Sequence, residues 1–97
     1  MSRDNNEQDL GEVINRLLKA YGLEEGYYEA AIITHWENLM GRAVATRTRE
    51  VKLKQGVLTV YLESASLRQE LMYSREKIVQ RINEEMGINL VIAVELK

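Results

Sequence analysis

The chain has 97 residues, of which 45% are apolar and 29% are charged, with a net charge of −2 and no cysteine. This length supports one domain with a modest core, and the missing cysteines exclude a disulfide framework and any thiolate metal site. The longest apolar run, residues 90–94, is far shorter than the ~20 residues of a membrane span. Because the polar N-terminus also lacks the apolar stretch of a signal peptide, we expect a cytoplasmic protein.

The N-terminal third begins with a polar segment and continues as a helix. We expect residues 1–8 to be a disordered tail and residues 9–97 to form a single domain. From Leu10 to Tyr21, apolar side chains recur at three- and four-residue steps, which predicts an amphipathic helix.

A second helix is predicted from Tyr27 to Met40, where Gly41 follows in the stop position. Trp36 lies on the apolar stripe of this helix, which favours a core anchor over a contact residue. Residues 42–46 are predicted to be a loop. His35 is the only histidine of the chain and has no neighbour at metal-ligand spacing, so we interpret it as a surface or half-buried side chain.

A β-hairpin follows the second helix. Residues 48–54 and 57–63 alternate in polarity and are separated by Gln55 and Gly56, which predicts two antiparallel strands. A last strand is predicted over residues 89–96, with Leu90, Ile92, Val94 and Leu96 on its inner face.

A long helix is predicted between the hairpin and the last strand. Ser66 and Gln69 form a capping-box pattern at its start, and Gly87 follows its last residue, Met86. Arg75 falls on the apolar stripe, so its guanidinium must be paired, extend to an edge, or emerge where the helix overhangs the sheet.

The element order α-α-β-β-α-β predicts a two-layer α+β domain, with helices on one face of a three-stranded sheet. An open, basic and aromatic sheet face can hold single-stranded nucleic acid, dock a protein partner, or form the edge of a dimer. The residues predicted on this open face are Lys52, Lys54, Thr59, Tyr61, Val91, Ala93 and Glu95.

The charges are unevenly distributed along the chain. Residues 1–40 carry −5, residues 41–83 carry +5 and residues 84–97 carry −2. The basic middle could face a polyanion, or it could neutralise the acidic helices. No arrangement of nucleophile, metal-ligand or phosphate-loop residues accompanies these charges, so we expect no enzymatic activity, no cofactor and no metal site.

Glycines, apolar strand entries and helix ends form one ordered pattern in the chain. Its elements are Trp36, Gly41, Thr48, Gly56-Val57-Leu58, Ser64, Glu70-Leu71 and the helix end from Asn83 to Gly87. This pattern resembles the DciA family, and the resemblance extends from about Leu10 to Lys97.

The resemblance implies a KH-like α+β fold without the Gly-x-x-Gly loop. It also implies a bacterial adaptor without ATPase activity, which binds the replicative helicase and assists its loading in the initiation of DNA replication. Many relatives carry a tryptophan where this chain has Leu67, and a long basic extension. Because this chain ends at Lys97, we expect its DNA affinity to be weak.

Our leading hypothesis is therefore a helicase-binding adaptor with weak nucleic-acid affinity. Leu67 and Tyr73 are the predicted partner surface. The predicted phosphate contacts are Arg47, Arg49, Lys52, Lys54 and Arg68. Two alternatives stay open: a single-stranded RNA-binding module that uses the same sheet face, and a protein–protein or homodimerisation domain.

Overall fold

The computed structural model describes residues 2–97, with side chains from residue 10 onwards. The predicted α+β class and the order of helical and strand segments are confirmed. The predicted disordered tail, residues 1–8, stays a prediction. Met1 and the side chains of residues 2–9 lie outside the described part, while the backbone from Ser2 onwards is helical, which extends the first helix beyond its predicted start at Leu10. The elements are α1 (Ser2–Ala20), α2 (Glu24–Thr34), α3 (Trp36–Met40), α4 (Arg42–Ala45), β1 (Thr48–Lys54), β2 (Val57–Leu62), α5 (Ala65–Met72), α6 (Arg75–Met86) and β3 (Ala93–Leu96).

The sheet has the strand order β1-β2-β3. Strands β1 and β2 are antiparallel, whereas β2 and β3 are parallel and joined through α5 and α6. Gln55 and Gly56 make the two-residue hairpin turn with φ values of 51° and 82°. Positive φ at both positions gives the turn a twist that matches the flanking strands, which explains the glycine.

One face of the sheet carries the core, and the helices pack against it. The alternation of β1 and β2 sends every second side chain into this layer, where the chain's single tryptophan, Trp36, is also buried. Trp36 is thus the core anchor that its position on the helical stripe predicts. The other buried residues are Ile32, Leu39, Val44, Val51, Leu53, Leu58, Val60, Leu62, Ile78, Ile82, Val91 and Val94.

The predicted second helix is divided at His35 into α2 and α3, and the predicted loop 42–46 contains the short helix α4. The Thr34 hydroxyl donates to the Ala30 carbonyl at 2.8 Å. Hydroxyls that bond back to the preceding turn often bend helices, and this bond lies directly before the break. His35 itself is exposed, as expected.

The predicted long helix is likewise two helices, α5 and α6, separated at Tyr73 and Ser74. Ser64, rather than Ser66, caps α5, since its hydroxyl accepts the Leu67 N–H at 3.1 Å. The break makes Arg75 the first residue of α6 and leaves it exposed. Its guanidinium therefore lies outside the core, although the predicted continuous stripe included this position.

The last strand is shorter than predicted and its inner face differs. Val91 is buried and Ile92 is 73% exposed, which reverses their predicted positions. The cause is Asn83 on α6, whose amide bonds the backbone of Leu90 and Val91 and so keeps that segment out of the sheet. None of the helices in the described part of the chain is long and apolar enough to cross a membrane.

Candidate partner and nucleic-acid surfaces

Two of the predicted phosphate contacts lie at the start of β1. The β1–β2 register shifts between Thr48 and Glu50, so Arg49 occupies a β-bulge. A bulge redirects the side chain it carries, and both Arg47 and Arg49 are exposed. The Arg47 carbonyl accepts the Glu63 N–H at 2.9 Å, which holds this corner against the end of β2.

Arg68 reaches the same end of the sheet from α5. Its Nη2 donates to the Leu62 carbonyl at 3.2 Å, while its Nε is buried without a hydrogen-bond partner among the described residues. The structure therefore brings Arg47, Arg49 and Arg68 to one end of the β1–β2 pair. Arg68 differs from the other two because it is half-buried.

The two predicted lysines lie on the open sheet face among carboxylates. Lys52 Nζ is 3.4 Å from Glu50 Oε2. In the same cross-strand row, the Thr59 hydroxyl is 3.4 Å from Glu95 Oε1. Lys54 is exposed beside the hairpin turn. Because acidic and basic groups alternate here, the face attracts a polyanion only weakly.

A groove of about 570 Å³ runs between α2–α3 and the free edge of β1. It contains Arg49 and Lys52 together with three carboxylates, those of Glu29, Glu37 and Glu50. Glu29 Oε2 accepts the Leu53 N–H at 2.8 Å, and Glu25 accepts the Gln55 N–H. Glu25 and Glu29 thus occupy donors at the edge of the sheet, and the three carboxylates of the groove make it unfavourable for phosphate.

A second groove, of about 440 Å³, has a different character, and we call it the α5 groove. Its lining contains two arginines and no carboxylate, so its local charge is positive. Tyr73 is 86% exposed and Met72 46% exposed beside it. The lining residues are Ala65, Arg68, Gln69, Met72, Tyr73 and Arg75.

The two predicted partner residues have different environments. Tyr73 lines the α5 groove, whereas Leu67 is half-buried and packs against the core. Met72, Gln69 and Arg75 belong to the groove but were not predicted as partner residues. Met72 and Tyr73 are adjacent in sequence and both remain exposed at the end of α5, where an interruption separates α5 from α6. The continuous apolar stripe conceals that interruption.

The two grooves and the open sheet face offer side chains for binding contacts. Among the described residues, no group of three or more histidine, cysteine, aspartate or glutamate side chains is placed to hold a metal ion. The chemistry available at the two grooves and the sheet face consists of ion pairing, hydrogen bonding and apolar contact.

The sequence of this chain is similar to those of bacterial proteins. The family described as Dna[CI] antecedent, DciA, has a model that matches residues 9–96. A UPF0232 protein of Corynebacterium glutamicum is 25% identical over 89 residues, which cover 92% of this chain and 50% of that protein. A UPF0232 protein of Mycolicibacterium smegmatis is 27% identical over 89 residues, covering 92% and 46%. The chain thus spans about half the length of the curated relatives it matches.

Proposed function

Because this chain belongs to the DciA family, as its residue pattern predicts, we propose that it is a non-enzymatic adaptor in the initiation of DNA replication. It binds the bacterial replicative helicase and assists the loading of that helicase onto DNA. It also contacts nucleic acid weakly.

The observation that carries the helicase half of this proposal is the exposure of Tyr73 at the α5 groove. A tyrosine that is 86% exposed beside an exposed methionine supplies contact area at low entropic cost. Leu67 supports this surface from beneath, since it packs against the core and fixes α5. Tyrosine and arginine are also among the side chains that are enriched at interface hot spots.

The proposed mechanism requires no covalent chemistry. An adaptor that binds the loading-competent helicase more tightly than the closed form shifts the equilibrium toward the former. A tenfold difference in affinity corresponds to about 1.4 kcal/mol of bias. Few strong contacts suffice for a shift of this size.

The nucleic-acid half rests on Arg47, Arg49, Lys52, Lys54 and Arg68. Arg47 and Arg49 carry most of the affinity in this proposal, because both are exposed at the same corner of the sheet. The interspersed carboxylates keep the binding weak and strongly dependent on salt.

The helicase half is tested by titrating purified replicative helicase against Tyr73→Ala. We expect affinity to fall about tenfold or more, as for a central interface tyrosine. Tyr27→Ala is the matched control, since Tyr27 is an exposed tyrosine on α2 that does not line the α5 groove, and it should leave the affinity within about twofold. Failure of the unmodified chain to bind helicase would remove this half of the proposal.

The nucleic-acid half is tested with a labelled single-stranded oligonucleotide at low and moderate salt. Arg47→Glu with Arg49→Glu should abolish binding that the unmodified chain shows at low salt. Arg42→Glu with Arg81→Glu is the control with equal charge change, because both arginines are exposed outside the predicted contacts. Equal losses in the two variants would reduce the effect to net charge alone.

Self-association is a second candidate function, and one observation favours it. The apolar stripe of α1 remains exposed at Leu10, Val13, Ile14 and Leu17, and Tyr21 is exposed directly after the helix. Exposed apolar patches of this kind mark protein contacts. Multi-angle light scattering would show a dimer that Leu17→Glu dissociates, and a monomer at all concentrations would exclude this candidate.

A further inference from the structure

The two arginines of the α5 groove are both held in place by backbone carbonyls. Arg68 Nη2 donates to the Leu62 carbonyl at 3.2 Å, and Arg75 Nε donates to the Met72 carbonyl at 3.2 Å. Each guanidinium has five N–H donors, so both retain donors for another group. Arginines that are already oriented lose less entropy on binding than free side chains do.

One of the remaining donors has no partner. Arg68 Nε is buried from solvent and makes no hydrogen bond in the described structure. A buried charged donor without an acceptor is costly, and a carboxylate that binds the Nη groups of the same guanidinium would offset part of that cost. The lining of the groove supplies no carboxylate that could fill this role.

We propose that the α5 groove binds a carboxylate of the partner protein, carried on a short segment in which acidic and apolar side chains alternate. This assignment rests on the proposed function as an adaptor. Arg68 and Arg75 take the acidic side chains, while Met72 and Tyr73 contact the apolar ones. Arg68 thereby becomes a protein-binding residue instead of a phosphate contact.

The surroundings of the groove favour an acidic peptide over a nucleic-acid strand. Glu70 and Glu76 are the immediate neighbours of groove residues along α5 and α6, and both are exposed. A strand of successive phosphates that extended beyond the groove would meet these charges, whereas carboxylates confined to it would not. Methionine also adapts its shape to apolar side chains of a partner.

The arginine Nε–H resonances provide a direct test by NMR. The probe is the peptide acetyl-Asp-Leu-Glu-Leu-Asp-amide, and its control is acetyl-Asn-Leu-Gln-Leu-Asn-amide. We expect the acidic peptide to shift the Nε–H signals of Arg68 and Arg75, and the neutral peptide to bind about tenfold more weakly. Absence of any shift at Arg68 with the acidic peptide would overturn the proposal.

Matched variants separate this groove from general charge effects. Arg75→Gln should lower the affinity of the chain for the acidic peptide and for the helicase by about tenfold each. Arg81→Gln, which removes an exposed arginine of α6 that does not line the groove, should change neither by more than about twofold. Equal effects of the two variants would contradict the assignment.

Two further outcomes are distinguishable. If an oligo-thymidine probe shifts Arg68 and Arg75 while the acidic peptide does not, the groove binds nucleic acid and the inference is wrong. If the acidic peptide binds but purified helicase does not, the chemistry of the groove stands and the proposed helicase partner falls.

Discussion

Asn83 holds Val91 through both polar atoms of its side-chain amide. Its Oδ1 accepts the Val91 N–H at 2.8 Å, and its Nδ2 donates to the Val91 carbonyl at 2.9 Å. The same Oδ1 also accepts the Leu90 N–H at 3.0 Å. One side chain on α6 therefore replaces the strand partners of two residues and fixes where β3 begins.

Removal of this amide should be among the most destabilising single substitutions in the domain. Asn83→Ala loses three hydrogen bonds and leaves backbone groups of a part-buried segment without partners, so we expect a loss of about 2–4 kcal/mol in the free energy of unfolding. Urea denaturation followed by circular dichroism measures it. Asn38→Ala, on the exposed surface of α3, should change stability by less than about 0.5 kcal/mol. Similar values for the two variants would show that the amide bonds contribute little.

The hydroxyl of Thr48 links the only tryptophan to the short helix α4. Trp36 Nε1 donates to Thr48 Oγ1 at 2.9 Å, and that hydroxyl donates to the Val44 carbonyl at 2.7 Å. Thr48→Val keeps the shape but removes both bonds, and we expect a cost of about 1–3 kcal/mol. Trp36 fluorescence should change at the same time, because its indole N–H loses its acceptor.

The comparison for Thr48→Val is Thr46→Val. The Thr46 hydroxyl is exposed and makes a longer bond of 3.3 Å to Ala43. Thr46→Val should lower the free energy of unfolding by less than about 0.5 kcal/mol and leave the Trp36 fluorescence unchanged. If Thr48→Val changes neither the free energy of unfolding nor the fluorescence, the Trp36–Thr48 hydrogen bond has no structural role.

Those parts of the fold that depend on local periodicity and turn chemistry could be predicted from the sequence. The strict alternation of residues 48–54 and the Gln55-Gly56 turn determine the hairpin almost by themselves. Trp36 was assigned to the core because its stripe on the helix is apolar. These features need no knowledge of distant contacts.

Features that depend on distant contacts could not be predicted in this way. The inner face of residues 89–92 is set by Asn83, which lies on another element, so the local alternation gave the wrong assignment for Val91 and Ile92. The α5–α6 break contains neither glycine nor proline, and the apolar stripe continues across it. The helical wheel placed Arg75 on the buried stripe, so the sequence did not assign it to an exposed surface with Met72.

Gly56 is required by both its backbone conformation and its contact with Ile92. Its φ is 82°, and a Cβ added there would lie 3.0 Å from Ile92 Cγ1. Gly56→Ala should therefore cost about 1–2 kcal/mol. Gly26→Ala, within α2 and with no atom near the added Cβ, should instead stabilise by about 0.5–1 kcal/mol. Thermal unfolding of the two variants should shift in opposite directions, and a shift in the same direction would refute this account.

The mixed charge of the open sheet face predicts that removal of one carboxylate strengthens nucleic-acid binding. Glu50 lies 3.4 Å from Lys52 and competes with any phosphate for that cation. Glu50→Gln should raise the affinity for a single-stranded oligonucleotide by about two- to fivefold at low salt, a factor that corresponds to a surface ion pair. The gain should shrink as salt is added, because exposed charges are screened.

Fluorescence anisotropy at two salt concentrations measures this gain, and two variants define its origin. Glu12→Gln makes the same charge change on the exposed surface of α1 and reports the contribution of net charge. Glu50→Gln combined with Lys52→Gln removes the liberated cation, so its affinity should return to that of the unmodified chain or below. If Glu12→Gln raises the affinity as much as Glu50→Gln, the gain comes from net charge and not from the release of Lys52.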